Sequence, residues 1–109
     1  MISEIEEYIN KFGVDVKHKF LEIRELVLSC TRADIEEKLW AKLPSYCVGD
    51  HFVRIIPFRD HLNIVASGLS NHLSELNGYK MTPKGMLQIY VDQAVPNDIL
   101  SKVFQETLE

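Results

Sequence analysis

The chain opens with Ile5, Tyr8, Ile9 and Phe12 three and four positions apart, which predicts one buried face of a helix from about Ser3 to Phe12. Ser3 with Glu6 makes a capping-box pattern at its start, and Gly13 supplies a left-handed stop. A second helix is expected from Asp15 to Cys30 or Thr31, with Val16, Phe20, Ile23, Val27 and Cys30 inward and Lys17, Lys19, Glu22 and Glu25 outward. From Glu36 the period changes to two. Leu39, Ala41 and Leu43 alternate with Lys38, Trp40 and Lys42, predicting a strand that Pro44 ends. Cys47 to Asp50 contains Gly49 and reads as a turn. His51–Phe58 and His61–Ser67 then read as a hairpin about Arg59–Asp60. A short helix over Leu69–Leu76, capped by Ser70, is closed by Asn77–Gly78; residues 79–85 read as a loop. A fourth strand spans Met86–Val91, and Pro96 starts a last helix carrying Ile99, Leu100, Val103 and Phe104 on one face.

The predicted order is α-α-β-β-β-α-β-α, without internal repeat or linker. It indicates an α+β fold: a mostly antiparallel four-stranded sheet with helices packed on it, forming a single domain over residues 1–109. Pairing Phe58 with His61 sorts the hairpin into two faces. Val53, Ile55, Pro57, Leu62, Ile64 and Ala66 make a wholly apolar core face. Phe52, Arg54, Ile56, Phe58, His61, Asn63, Val65 and Ser67 make the other. Strand four divides in the same way, Leu87, Ile89 and Val91 against Met86, Gln88 and Tyr90. The second face mixes aromatic and polar groups, as a binding surface does. The alternative is that the C-terminal helix or a loop covers it.

Twelve basic against sixteen acidic residues give a net charge of −4, a field that repels nucleic acid and anionic membranes, so neither is an expected partner. No apolar run approaches the roughly 20 residues needed to span a bilayer, and the acidic opening lacks a signal-peptide pattern. A cytoplasmic location is expected, with Cys30 and Cys47 as free thiols.

Nothing in the chain matches a dinucleotide, Walker, zincin, nucleophile-elbow or EF-hand motif. Cys47 and His51 lack an orienting third group, so a binding protein rather than an enzyme is expected. The four histidines, His18, His51, His61 and His72, do not form a metal motif. His51 and His61 lie at opposite ends of the hairpin, roughly 23 Å apart at about 3.3 Å per residue. Two acidic groups, Glu4, Glu6 and Glu7, and Asp34, Glu36 and Glu37, suit either helix-dipole complementation or a shallow carboxylate surface for a hard cation. Lys80 and Lys84 flank Thr82 in a loop with Gly85, where backbone amides and ammonium groups suit an anion. Trp40, Arg54, His61, Lys80, Lys84, Gln88 and Tyr90 are the candidate ligand-binding residues for a small molecule or anion. The same exposed face also suits a protein partner.

An ordered set of short motifs resembles the YdhG-like family: Glu7-Tyr8-Ile9, Glu36-Glu37-Lys38, Leu43-Pro44-Ser45-Tyr46, Phe58-Arg59-Asp60-His61-Leu62, Gly78-Tyr79-Lys80, Lys84-Gly85, Gln88-Ile89 and the helix after Pro96. The resemblance covers nearly the whole chain. It implies a compact α+β fold and a frataxin-like intracellular iron chaperone that supplies Fe(II) for iron–sulfur cluster or haem assembly. It further implies weakly bound iron on exposed carboxylates and an iron-acceptor protein as partner. Carried onto this chain, the metal candidates are Glu4, Glu6, Glu7, Asp34, Glu36 and Glu37.

Overall fold

In the computed structural model, which describes residues 1–109, the apolar stripes of three helices meet one face of a single sheet. The helices are α1 (Ser3–Ile9), α2 (Val14–Ser29) and α3 (Asn97–Leu108). The strands are β1 (Glu36–Trp40), β2 (Leu43–Val48), β3 (His51–Pro57), β4 (His61–Val65), β5 (Lys80–Met81) and β6 (Leu87–Tyr90). The sheet is antiparallel throughout, in the order β1-β2-β3-β4-β6-β5.

The expected α+β class holds, but the sheet has six strands rather than four. The extra central strand comes from a turn that composition hides. Ala41 and Lys42 adopt φ of +53° and +65°, the left-handed pair of a two-residue hairpin. The run read as one strand through Leu43 therefore folds back at Trp40. Leu43 becomes the first residue of β2, opposite Trp40 rather than beside Leu39 in the core. Pro44 lies inside that strand instead of ending it. Its missing N–H is tolerated because the ladder to β3 begins only at Ser45. Cys47 and Val48 belong to β2, and the turn shrinks to Gly49–Asp50, with Gly49 at φ +59°. The sixth strand is the two-residue β5, within the segment read as a loop.

Two helical expectations also change. Leu69–Leu76 forms no α-helix; the chain makes short 3-10 turns at Ser67–Asn71 and Leu73–Leu76. Close packing explains the first. A Cβ on Gly68 would meet the Val103 carbonyl oxygen at 2.5 Å and Thr107 Oγ1 at 2.9 Å, so this backbone lies against α3. There the Gly68 N–H donates to Thr107 Oγ1 at 2.9 Å. Helix α1 stops at Ile9 rather than Phe12, and Ser3 makes no side-chain cap.

The hairpin faces fall as their alternation requires. Pro57 pairs with Leu62 and Ile55 with Ile64, and Val53, Ile55, Leu62 and Ile64 are fully buried. They meet Val16, Phe20, Ile23 and Val27 of α2 and Leu100, Val103, Phe104 and Leu108 of α3 in one core. Because α3 packs on this side, it cannot cover the opposite face.

The Ala41–Lys42 turn yields a stability prediction. Replacing the pair with Asn-Gly, which accepts the left-handed conformation at low cost, is expected to stabilise the fold by about 1 kcal/mol. Urea denaturation should show a raised midpoint with an unchanged slope. An unchanged or lowered midpoint would mean that the turn stores no such strain.

Candidate ligand-binding face

Antiparallel register places directly opposed side chains on one face, and three rows follow on the side away from the helices. Lys38, Ser45, Arg54 and Val65 form the first. Ile56, Asn63, Gln88 and Lys80 form the second. Phe58, His61 and Tyr90 form the third, the Phe58 N–H donating to the His61 carbonyl at 2.8 Å. Trp40 and Phe52 complete the aromatic set, Trp40 being 47% and Phe58 41% exposed. Six of the seven expected ligand residues thus share this face: Trp40, Arg54, His61, Lys80, Gln88 and Tyr90. Lys84 stands apart, on the β5–β6 turn.

Arg54 is the most unusual group on the face. Its guanidinium carbon lies 4.3 Å from the Trp40 ring centre and 5.1 Å from that of Phe52. The two rings meet edge to face at 5.5 Å. No carboxylate pairs with Arg54, and its Nε is buried without a hydrogen-bond acceptor. Cation–π contact holds such a group in place but leaves its N–H donors unused. A planar guanidinium without a carboxylate partner has the donor geometry that matches carboxylate and phosphate oxygens.

The third row is a stack. His61 lies 4.6 Å from Phe58 with planes 7° apart, and 4.9 Å from Tyr90. The Lys80 ammonium sits 5.3 Å from the Tyr90 ring centre. His61 Nδ1 and Asp60 Oδ1 are 2.9 Å apart, and this hydrogen bond holds the Asp60 carboxyl below its ordinary pKa.

Beside the face is a groove of about 590 Å³ that the sequence does not reveal. Phe52, Val65, Leu69, Leu73, Lys84 and Met86 are among the residues that line it. It is built from β3, β4, the 3-10 turns and the β5–β6 turn, segments distant in sequence. His72 ties the 3-10 segment to α3. His72 Nδ1 lies 2.7 Å from Glu75 and Nε2 lies 3.0 Å from Glu106 of α3, and these carboxylates raise the histidine pKa.

The metal candidates are not brought together. Glu4, Glu6 and Glu7 project from α1 into solvent, Asp34 precedes β1, and Glu36 pairs with Lys38 at 3.3 Å. Glu37 points to the helix side, where Oε2 lies 2.6 Å from Arg24 Nε, with side chains 10% and 14% exposed. Its Oε1 also accepts from the Ile2 N–H at 3.1 Å. Burial alone would raise the Glu37 pKa, but Arg24, the neighbouring Tyr46 hydroxyl and the Ile2 N–H hold it below the ordinary carboxylate value. The same burial pushes the Tyr46 phenol up. No three His, Cys, Asp or Glu side chains converge to hold an ion. Burial likewise raises the pKa of the Cys47 and Cys30 thiols, which disfavours the thiolate.

These features define a class: an α+β protein with helices on one side of an antiparallel sheet and an aromatic, cationic surface on the other. No helix is long and apolar enough to cross a membrane. No family model, curated protein or solved structure matches the chain.

The Arg24–Glu37 pair yields a second prediction. Glu37→Gln is expected to destabilise the fold by about 3 kcal/mol, because Arg24 is left without its counter-charge. Glu37 has a depressed folded pKa, so its contribution is full above the unfolded carboxylate value of about 4.3 and fades as pH falls through the folded value. Denaturation midpoints of the two proteins should therefore converge in acid. A difference independent of pH would assign the effect to packing.

Proposed function

We propose that this protein is a non-catalytic binding module that holds an organic anion against the uncovered face of its sheet, with Arg54 as the central contact. The observation that carries this reading is the Arg54 guanidinium, stacked on Trp40 and Phe52 with no carboxylate partner and with Nε unsatisfied. A carboxylate or phosphate oxygen would accept charge-assisted hydrogen bonds from the terminal guanidinium N–H groups, roughly twice as strong as neutral ones. The aromatic rings supply contact area for the body of the ligand, and Gln88 and Lys80 offer further polar contacts one row away.

Trp40 is the sole tryptophan and lies against Arg54, so its fluorescence reports directly on the site. Titration with benzoate or inorganic phosphate should change that emission. Arg54→Gln should weaken binding by about tenfold or more, the loss of one charge-assisted contact, while circular dichroism stays unchanged. Equal binding by both proteins would remove Arg54 from the function.

The YdhG-like resemblance supports a second reading, an intracellular iron chaperone that hands Fe(II) to an acceptor protein for iron–sulfur cluster or haem assembly. Its specific support is the exposure of Glu4, Glu6, Glu7, Asp34 and Glu36, oxygen donors suited to a weakly held hard cation. Glu37 fits that role less well, being committed to Arg24. Anaerobic Fe(II) titration followed by amide NMR should broaden resonances near Glu6 and Glu36 at low millimolar metal. Uniform spectra throughout the titration would discard the iron role and leave the Arg54 reading untouched.

A further inference from the structure

Asn63 occupies the second row of the open face, between Ile56 and Gln88, where an apolar residue would pack without leaving a polar atom unpaired. It is only 8% exposed, and its Oδ1 is sealed from solvent with no hydrogen-bond partner. Its Nδ2 has only a weak acceptor, the Met86 thioether sulfur at 3.8 Å. Met86 in turn lines the groove beside Phe52, Val65 and Lys84. It follows Gly85, which turns at φ +86°, and its N–H donates to Thr82 Oγ1 at 3.0 Å. One flexible side chain therefore separates an unsatisfied primary amide from a cavity large enough for a small organic molecule. Lys84 and Asp50 are the charged side chains lining the groove; neither forms an ion pair, and Lys84 supplies the positive charge.

We infer that this groove is a second binding site, for a planar organic anion carrying a lactam or amide edge, and that Met86 is its gate. On binding, the thioether swings off Asn63. The carboxamide then accepts from the ligand N–H through Oδ1 and donates to the ligand C=O through Nδ2, while Lys84 takes the anionic group. The exchange replaces one poor N–H···S contact and one orphan acceptor with two ordinary hydrogen bonds. Phe52 and Val65 cover the ring. Charge and hydrogen-bond complementarity select this occupant. A purely apolar molecule would leave Asn63 unsatisfied, and a simple anion would leave the groove unfilled.

Three probes separate these contributions. 6-Oxonicotinate carries both lactam and carboxylate, nicotinate only the carboxylate, and 2-pyridone only the lactam. In amide NMR titrations, 6-oxonicotinate should shift Val65, Lys84 and Met86 and bind at least tenfold more tightly than either partial probe. Asn63→Leu should reduce its affinity to that of nicotinate, and Lys84→Gln to that of 2-pyridone. Asn63→Leu should also melt at the same temperature or higher, since it removes an unpaired polar group from the free protein. Equal affinities for the three probes, no shifts at any concentration reached, or an Asn63→Leu protein that melts several degrees lower would each overturn the proposal, the last by making Asn63 structural. Amide shifts at Lys84 and Met86 report this groove, whereas loss of benzoate binding in Arg54→Gln reports the Arg54 site, so failure here is distinguishable from failure there.

Discussion

The strict alternation of apolar and polar side chains in β3 and β4, locked by pairing about Arg59–Asp60, is the constraint from which the rest of the molecule follows. A register slip of one residue would turn Leu62 and Ile64 to water and bury His61 in the core. With that register set, α2 and α3 have one surface on which to bury their stripes, and all three helices gather there. The opposite surface is left to side chains that need not exclude water.

That one-sidedness links folding to binding. On the helix side, Glu37 is paired with Arg24, and Thr107 with Gly68 and Val103. Three buried polar atoms have no hydrogen-bond partner: the Tyr46 hydroxyl on the helix side, and Arg54 Nε and Asn63 Oδ1 on the open side. An unsatisfied donor or acceptor away from water costs free energy that the fold does not recover. Two of the three lie on the face that the helices leave open.

The local character of a feature governed how well the chain disclosed it. The stripes of α2 and α3 were legible because a helix repeats its buried face every three or four residues, and Val16, Phe20, Ile23 and Val27 keep that period. The hairpin faces were legible for the same reason at period two. The β1–β2 turn was not, because Ala41 and Lys42 are not residues that favour positive φ; strand pairing on both sides imposes it. Nor was the failure of Leu69–Leu76 to form an α-helix, since the contact of Gly68 with the α3 backbone is set by packing and not by its neighbours in sequence.

The sequence by itself determined the α+β class, the interior side of the central hairpin and the strand residues of the aromatic face, all of which depend on periodicity within single elements; Lys80 joins that face only through β5. Tertiary structure alone decided that Glu37 is committed to Arg24, that no three of the candidate carboxylates converge on one point, and that Arg54 lies on Trp40. It also decided that Met86 stands between Asn63 and a groove walled by Phe52 and Leu73. The reason is physical: period places a residue on a side of its element, whereas contact between elements depends on how they pack, which no local pattern encodes.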